Sequence, residues 1–244
     1  MSSTRPLPEL AGRLIVALDV ESPDEAHRLV DALSGVTRFY KIGMWLLYHP
    51  GTAPLIAALV AAGHDVFLDA KMYDIGETVQ HGVRAVAAGG SRFVTVHGDP
   101  AILQAAVAGS AGSRLGVLAV TVLTSLDDAA VRAMGYAMDA RSLVSLRVRA
   151  AAAAGCAGVI ASAADDPDAL REAAGDPALL IVTPGIRMAG DPAGDQRRIG
   201  SPADAIARGA DYLVVGRPIT RAASPRDAAR RILDDMAAGH QRRA

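Results

Sequence analysis

The stretch that decides the fold is Asp65-Val66-Phe67-Leu68-Asp69-Ala70-Lys71-Met72-Tyr73-Asp74-Ile75-Gly76-Glu77-Thr78. It opens on a short apolar run, Val66-Phe67-Leu68, and ends in three charged residues, Asp69, Lys71 and Asp74. A continuous apolar run bounded by polar residues reads as a parallel strand buried on both faces, since a half-exposed strand would alternate apolar and polar positions. The charges then fall at its C-terminal end.

Moving outward, the same kind of run recurs along the chain. Strand candidates are Leu14–Asp19, Arg38–Ile42, Asp65–Asp69, Arg92–His97, Leu115–Val122, Gly158–Ser162, Leu179–Thr183 and Tyr212–Val215. Longer Ala-rich, helix-favouring runs separate them. Ser22-Pro23-Asp24-Glu25 and Ser201-Pro202-Ala203-Asp204 each place a capping Ser before a Pro at the first helical position, with an acid three residues on. Pro50-Gly51, Asp99-Pro100 and Asp166-Pro167 punctuate further joins. Eight strand-then-helix units without a long polar linker predict one α/β domain over 1–244, a closed (β/α)8 TIM barrel with its core at about 14–235. An open doubly wound sheet is the runner-up. It would be expected to carry a Gly-rich dinucleotide turn after the first strand, where Asp19-Val20-Glu21-Ser22 stands instead.

Composition narrows the classes of function. The 244 residues carry a formal net charge of −1, with 51% hydrophobic residues. A near-neutral chain gives no sign of a nucleic-acid or membrane surface, which usually needs a basic excess. The opening Met1-Ser2-Ser3-Thr4-Arg5-Pro6 lacks an apolar signal segment, and no run of about 18 apolar residues occurs, so a soluble cytoplasmic chain is expected. The single cysteine, Cys156, sits in Ala154-Gly155-Cys156-Ala157-Gly158-Val159-Ile160 and reads as a small core side chain rather than a nucleophile.

Lys and Arg together number 25, yet Lys41 and Lys71 are the only lysines, leaving 23 arginines. Either two lysines survived a compositional bias by chance, or those positions need an ammonium. An ammonium is compact and can give up a proton, which a guanidinium does not do near neutral pH. In a (β/α)8 barrel, chemistry belongs at the C-terminal strand ends. Asp19 ends the first run, Lys41 lies near the end of the second, and Asp69 and Lys71 end the third. Period-two alternation puts Asp69 and Lys71 on one face. An ion pair that merely closes the barrel top is the structural alternative, but buried charges are rarely more stabilising than apolar packing, so a site is favoured. An Asp69-Lys71-Asp74 array would keep the ammonium charged between two carboxylates, able to stabilise a developing carbanion and then protonate it. No Cys/His cluster with metal spacing accompanies these residues, and His97 reads as a hydrogen-bonded strand-end residue.

The eighth run ends in Val215-Gly216-Arg217-Pro218-Ile219-Thr220. Barrels of this kind often hold phosphate after their last strands, and Arg217 offers a bidentate donor beside Gly216, which allows close backbone approach. Residues 184–200, rich in Gly, Pro, Asp and Arg and carrying Arg187, form a join long enough to be a lid.

These motifs resemble those of the orotidine 5′-phosphate decarboxylases. Asp69-Ala70-Lys71-Met72-Tyr73-Asp74-Ile75-Gly76-Glu77-Thr78 resembles the family's DxKxxDI…T signature, and Thr121-Val122-Leu123-Thr124-Ser125 its stretch after the fifth strand. Thr183-Pro184-Gly185-Ile186-Arg187 with Gly194-Asp195-Gln196-Arg197-Arg198-Ile199 resembles its phosphate lid, and Gly216-Arg217-Pro218-Ile219 its phosphate clamp. Leu18-Asp19 and Lys41-Ile42-Gly43 fit as well, so the resemblance runs from residue 14 to about 235, and the motifs in this order are highly specific. It implies a cofactor-free, metal-free enzyme that converts orotidine 5′-monophosphate to UMP, as a homodimer with shared sites. Lys71 would give the proton to C6, with Lys41, Asp69 and Asp74 completing the charged network. Asp74 and Thr78 would reach the partner subunit's site. Asp19 and Lys41 would hold the ribose, Thr124 and Gln196 the pyrimidine, and Arg187, Gly216 and Arg217 the phosphate. Met72-Tyr73 and Gly76-Glu77 depart from the usual Phe-His and Pro-Asn, which bears on affinity and dimer packing while the charged positions and Thr78 are intact. The alternatives are an Mg-dependent sugar-phosphate enzyme of the same barrel superfamily, which shares the DxKxxD core but lacks a use for Thr124 and Gln196, and a non-catalytic phosphate-ligand-binding barrel.

Overall fold

A computed structural model describes residues 7–188 and 200–243. Its eight strands are β1 (Leu14–Ala17), β2 (Phe39–Ile42), β3 (Asp65–Met72), β4 (Phe93–His97), β5 (Gly116–Val120), β6 (Gly158–Ile160), β7 (Leu180–Thr183) and β8 (Tyr212–Val215). All pair in parallel in sequence order, and β1 meets β8 through Leu14↔Leu213, Ile15↔Val214 and Val16↔Val215, which closes the barrel. The expected architecture is the observed one, and every strand candidate is present with its ends moved by a few residues.

The joins form for the reasons their residues suggest. Ser22 Oγ accepts from the Glu25 N–H and Ser201 Oγ from the Asp204 N–H, each satisfying a free donor at the start of the helices Pro23–Ala32 and Pro202–Ala207. Asp99 and Asp166 cap the helices Pro100–Ser110 and Pro167–Ala174 in the same way. Each helix packs apolar residues outside the cylinder. Leu29 and Val30, for example, join the layer containing Leu14, Val16 and Tyr40.

A separate cluster fills the inside, where Ile15, Ala17, Phe39, Phe67, Phe93, Leu118, Val182 and Val214 pack together. Its lower layer is aromatic: Phe93 lies 5.5 Å from Phe39, 6.2 Å from Phe67 and 5.3 Å from Tyr212, measured between ring centroids. Offset and edge-on contacts of this kind suit the ring quadrupoles. Two residues further along the same inward register come Lys41 after Phe39, Asp69 after Phe67 and Thr95 after Phe93. The barrel is thus apolar at its floor and charged at its mouth. Below the floor, Arg13 Nε donates to Asp211 O at 2.6 Å, and Asp211 Oδ2 accepts from Arg171 Nη2 at 2.6 Å and from the Ile181 N–H at 2.7 Å, tying β1, β7 and β8 at the closing seam.

Candidate active site

Four ionisable side chains form a chain of alternating sign across β1, β2 and β3. Asp19 Oδ1 lies 3.1 Å from Lys41 Nζ, Lys41 Nζ lies 3.2 Å from Asp69 Oδ2, and Asp69 Oδ1 lies 2.6 Å from Lys71 Nζ. The middle pair is nearly enclosed, with side chains 10% and 13% exposed, whereas Lys71 at the end is 35% exposed. Desolvation alone would drive both buried groups toward neutrality. For Lys41 the attraction of Asp69 and Asp19 outweighs burial and raises its pKa. For Asp69 the two lysines, with hydrogen bonds from Lys71 and Thr95, outweigh burial and hold its carboxyl below the ordinary range. Both stay ionised at neutral pH.

The route by which Asp69 and Lys71 meet differs from the regular alternation expected. Leu68 pairs with Val94 and Met72 with Val96, so four steps along β3 match two along β4 and the intervening residues bulge. Within the bulge Lys71 has φ 45°, the one non-glycine at positive φ among the described residues. Its N–H leaves the ladder and donates to Thr95 Oγ1 at 3.0 Å, and that hydroxyl donates to Asp69 Oδ1 at 2.9 Å.

The expected second carboxylate beside Lys71 is not supplied by the same chain. Beyond the bulge Asp74 turns toward the start of the helix Gly76–Ala88, and its Oδ1 accepts from the Ile75 N–H at 2.6 Å. Asp74 and Thr78 are both exposed. The ammonium seated between two carboxylates is Lys41.

One cavity of about 520 Å³ gathers Asp19, Lys41, Asp69, Lys71, Thr124, Arg187, Gly216 and Arg217. That volume suits a small organic ligand. Its walls include Phe67, Val120, Val122, Leu123, Ile160 and Val214, so charged groups face an apolar surface. Arg187 is buried, and its Nη1 donates to Ile186 O at 2.7 Å. The ends of the 184–200 segment are pinned together: the Arg187 N–H donates to Gly200 O at 3.0 Å and the Gly200 N–H to Gly185 O at 3.3 Å. Gln196 and the central part of the expected lid lie outside the described residues. A Cβ at Gly216 would make only ordinary contacts, 3.6 Å from Ala17 Cβ and 3.8 Å from Asp19 Oδ2, so the missing side chain leaves open the cavity itself.

Gly43 is tighter. A Cβ there would come within 2.7 Å of Lys41 Nζ and 3.1 Å of Asp19 Oδ1, so the bare backbone makes room for the ion pair. Sequence reasoning missed this role, and it also missed Trp45, Ser162 and Arg221, which line the cavity. Ser162 closes the sixth strand candidate, so a strand-end rule applied to every strand would have found it, whereas Trp45 lies in the short helix Met44–Leu47 beyond β2, where that rule does not reach. His97 stands outside the cavity lining, packed edge-on against Tyr73 at 5.5 Å. Burial first, then Arg147 and Lys71, lower its pKa. No group of three or more potential metal-ligating side chains occurs among the described residues.

The family described as orotidine 5′-phosphate decarboxylase / HUMPS matches residues 12–232. An orotidine 5′-phosphate decarboxylase of Methylobacterium nodulans is 50% identical over 234 residues, covering 95% of this chain and 98% of that relative. The Caulobacter vibrioides protein of the same name is 47% identical over 227 residues, 92% of this chain and 97% of the relative. The crystal structure of orotidine 5′-phosphate decarboxylase from Lactobacillus acidophilus superposes with a TM-score of 0.79 at 33% identity, covering 92% of this chain and 99% of that one.

Proposed function

This chain belongs to the orotidine 5′-phosphate decarboxylase / HUMPS family, and from that premise we infer that it decarboxylates orotidine 5′-monophosphate to UMP, the last step of de novo UMP synthesis, with Lys71 as the proton donor. The observation that carries the lysine assignment is the charge chain ending in Lys71 in a cavity that also presents apolar walls, Phe67, Val120, Ile160 and Val214 among them.

In the reaction the bond between C6 and the carboxylate carbon breaks. CO2 departs and the electron pair stays on C6, in the plane of the pyrimidine ring. The Lys71 ammonium meets that developing charge with its positive end, then transfers a proton to C6, and the amine regains a proton from solvent. A fixed cation in a water-poor pocket needs little reorganisation as charge forms, which is why it is worth more there than in water. Asp69 holds the ammonium in place through a 2.6 Å contact and stays anionic because Lys41 supports its other oxygen. Asp19 and Lys41 serve the ribose hydroxyls, and Thr124 and Gln196 the base. Arg187 and Arg217, with the open backbone at Gly216, take the phosphate. Binding energy from the phosphate, remote from the breaking bond, helps to position the reacting carbon.

The active unit in this reading is a homodimer. Asp74 is flanked by Tyr73 and Ile75, which are 67% and 72% exposed. Large apolar side chains in such a cluster are what an interface covers. A second copy laid over this rim would bring Asp74 and Thr78 to its own neighbour's Lys71, completing the pair of carboxylates that one chain lacks. Mixing inactive Lys71→Ala and Asp74→Ala subunits should regain activity through hybrid dimers. The cytoplasm is the compartment we assign, consistent with a single buried thiol and with described helices none of which is long and apolar enough to cross a membrane.

The test is direct. Protein stripped of metal, with and without EDTA, is incubated with orotidine 5′-monophosphate while the ultraviolet spectrum is followed. Equal UMP formation in both samples is expected. Turnover that needs added Mg2+ would favour the sugar-phosphate branch of the superfamily, and absence of UMP would reject the assignment.

A further inference from the structure

We propose that Thr95 is a positioning residue for decarboxylation, its hydroxyl locking the β3 bulge so that the Lys71 ammonium is held against Asp69. The inference rests on the assignment of Lys71 as proton donor and adds a residue that lies outside the cavity lining.

Thr95 lies in the centre of β4 with no exposed surface. A buried hydroxyl in a run otherwise made of Phe93, Val94 and Val96 costs free energy unless its hydrogen bonds are made. Here both are. The oxygen accepts the Lys71 N–H at 3.0 Å, and the hydroxyl proton goes to Asp69 Oδ1 at 2.9 Å. One side chain therefore grips the backbone of one functional residue and the carboxylate of the other.

The backbone grip has a specific task. In regular pairing the N–H of a β3 residue would bond a β4 carbonyl, but the register shift between Leu68 and Met72 removes that option at Lys71. Lys71 also carries φ 45°, a region costly for a residue with a Cβ and kept only when its surroundings enforce it. The Thr95 hydroxyl supplies the missing acceptor. The carboxylate grip fixes which oxygen of Asp69 faces Lys71: Oδ1 takes Thr95 and Lys71, leaving Oδ2 for Lys41. Loosening either grip leaves both catalytic groups present but displaced, and displacements near an ångström are enough to cost large factors in rate.

The experiment compares Thr95→Val, which keeps the shape and deletes the hydroxyl, with Thr95→Ser, which keeps the hydroxyl. Steady-state kinetics on orotidine 5′-monophosphate are run beside UMP affinity and thermal unfolding. We expect Thr95→Val to lower kcat by about 30-fold or more with UMP affinity changed less than about threefold, and Thr95→Ser to return kcat to within about fivefold of the parent. Should Thr95→Val not fold, Thr95→Ala, with room for a water, is read in the same way. A merely structural role would lower kcat and UMP affinity together and leave Ser no better than Val, and that result overturns the proposal. So does a Thr95→Val kcat within twofold of the parent. If Lys71→Ala is inactive in the same assay, either failure concerns Thr95 alone. If Lys71→Ala turns over normally, the proton-donor assignment falls, and the role of Thr95 with it.

Discussion

Lys71 Nζ lies 2.6 Å from Asp69 Oδ1 within a backbone bulge in which Lys71 sits at φ 45°. The contact therefore depends on an enforced local conformation as well as on charge attraction. Because the Lys71 side chain is 35% exposed and Asp69 keeps Lys41 as a partner, the contact contributes little to global stability. Its value lies in where it leaves the proton.

Lys71→Ala should cut kcat by about 1000-fold or more, combining loss of an acid and of a fixed charge, with the unfolding midpoint within about 3 °C of the parent. Lys71→Arg should be nearly as inactive, since it restores a cation that cannot release its proton. Robust turnover by the Arg variant would mean that charge alone suffices.

Acid stability should report Asp69. Burial would raise its carboxyl, but Lys41 and Lys71 with their hydrogen-bonding partners hold it below the ordinary range. A depressed native pKa contributes stability that is complete above the unfolded value of about 3.9 and is lost as pH falls through the native one. Urea unfolding followed downward from about pH 6 should show Asp69→Asn losing less stability than the parent below about pH 4. Parallel acid limbs for the two proteins would contradict this.

Gly43→Ala places a methyl group 2.7 Å from Lys41 Nζ, and Gly43 has extended dihedrals that any residue adopts. The flexible lysine end must yield rather than the backbone. KM for orotidine 5′-monophosphate should rise about tenfold or more, about 1.4 kcal/mol, with little change in melting temperature. An unaltered KM would show that Lys41 has room to spare.

Arg217→Ala should lower kcat/KM by about 10- to 100-fold, the equivalent of one charge-assisted hydrogen bond at about 1.5–3 kcal/mol. On orotidine, which lacks the phosphate, the variant should match the parent, and added phosphite dianion should accelerate the parent more. Equal losses on both substrates would place Arg217 outside phosphate binding.

Cys156 is 6% exposed, and burial pushes its thiol up to about 12. Thiolate reagents such as DTNB at about pH 8 should leave the native protein untouched and titrate one thiol per chain in about 6 M guanidinium chloride. Rapid native labelling would mean that the strand-end region around Gly155 opens readily.

The barrel was legible in the sequence because buried parallel strands announce themselves as unbroken apolar runs, and most were followed by a capped or Pro-led join; the helices starting after Gly43 and Ile75 have neither. The strand ends of Asp19, Lys41 and Asp69 were legible for the same reason: charge at the limit of an apolar run has few places to go but the rim. What the pattern did not carry was the bulge after Leu68 or the positive φ of Lys71, since no Gly or Asn marks that turn and its acceptor comes from Thr95, 24 residues away in sequence. A polar residue at the inward register of β4 was the available signal. Asp74 was read as a neighbour of Lys71 from spacing alone, and spacing says nothing of where a side chain points once the strand has ended.

The ring layer formed by Phe39, Phe67, Phe93 and Tyr212 makes the cylinder a cup with a single doorway. Small molecules therefore reach the charged layer from the C-terminal rim, above the rings, and leave it on the same side. Trimming one ring would thin that floor while leaving the charged rim untouched, which separates the support of the site from its chemistry.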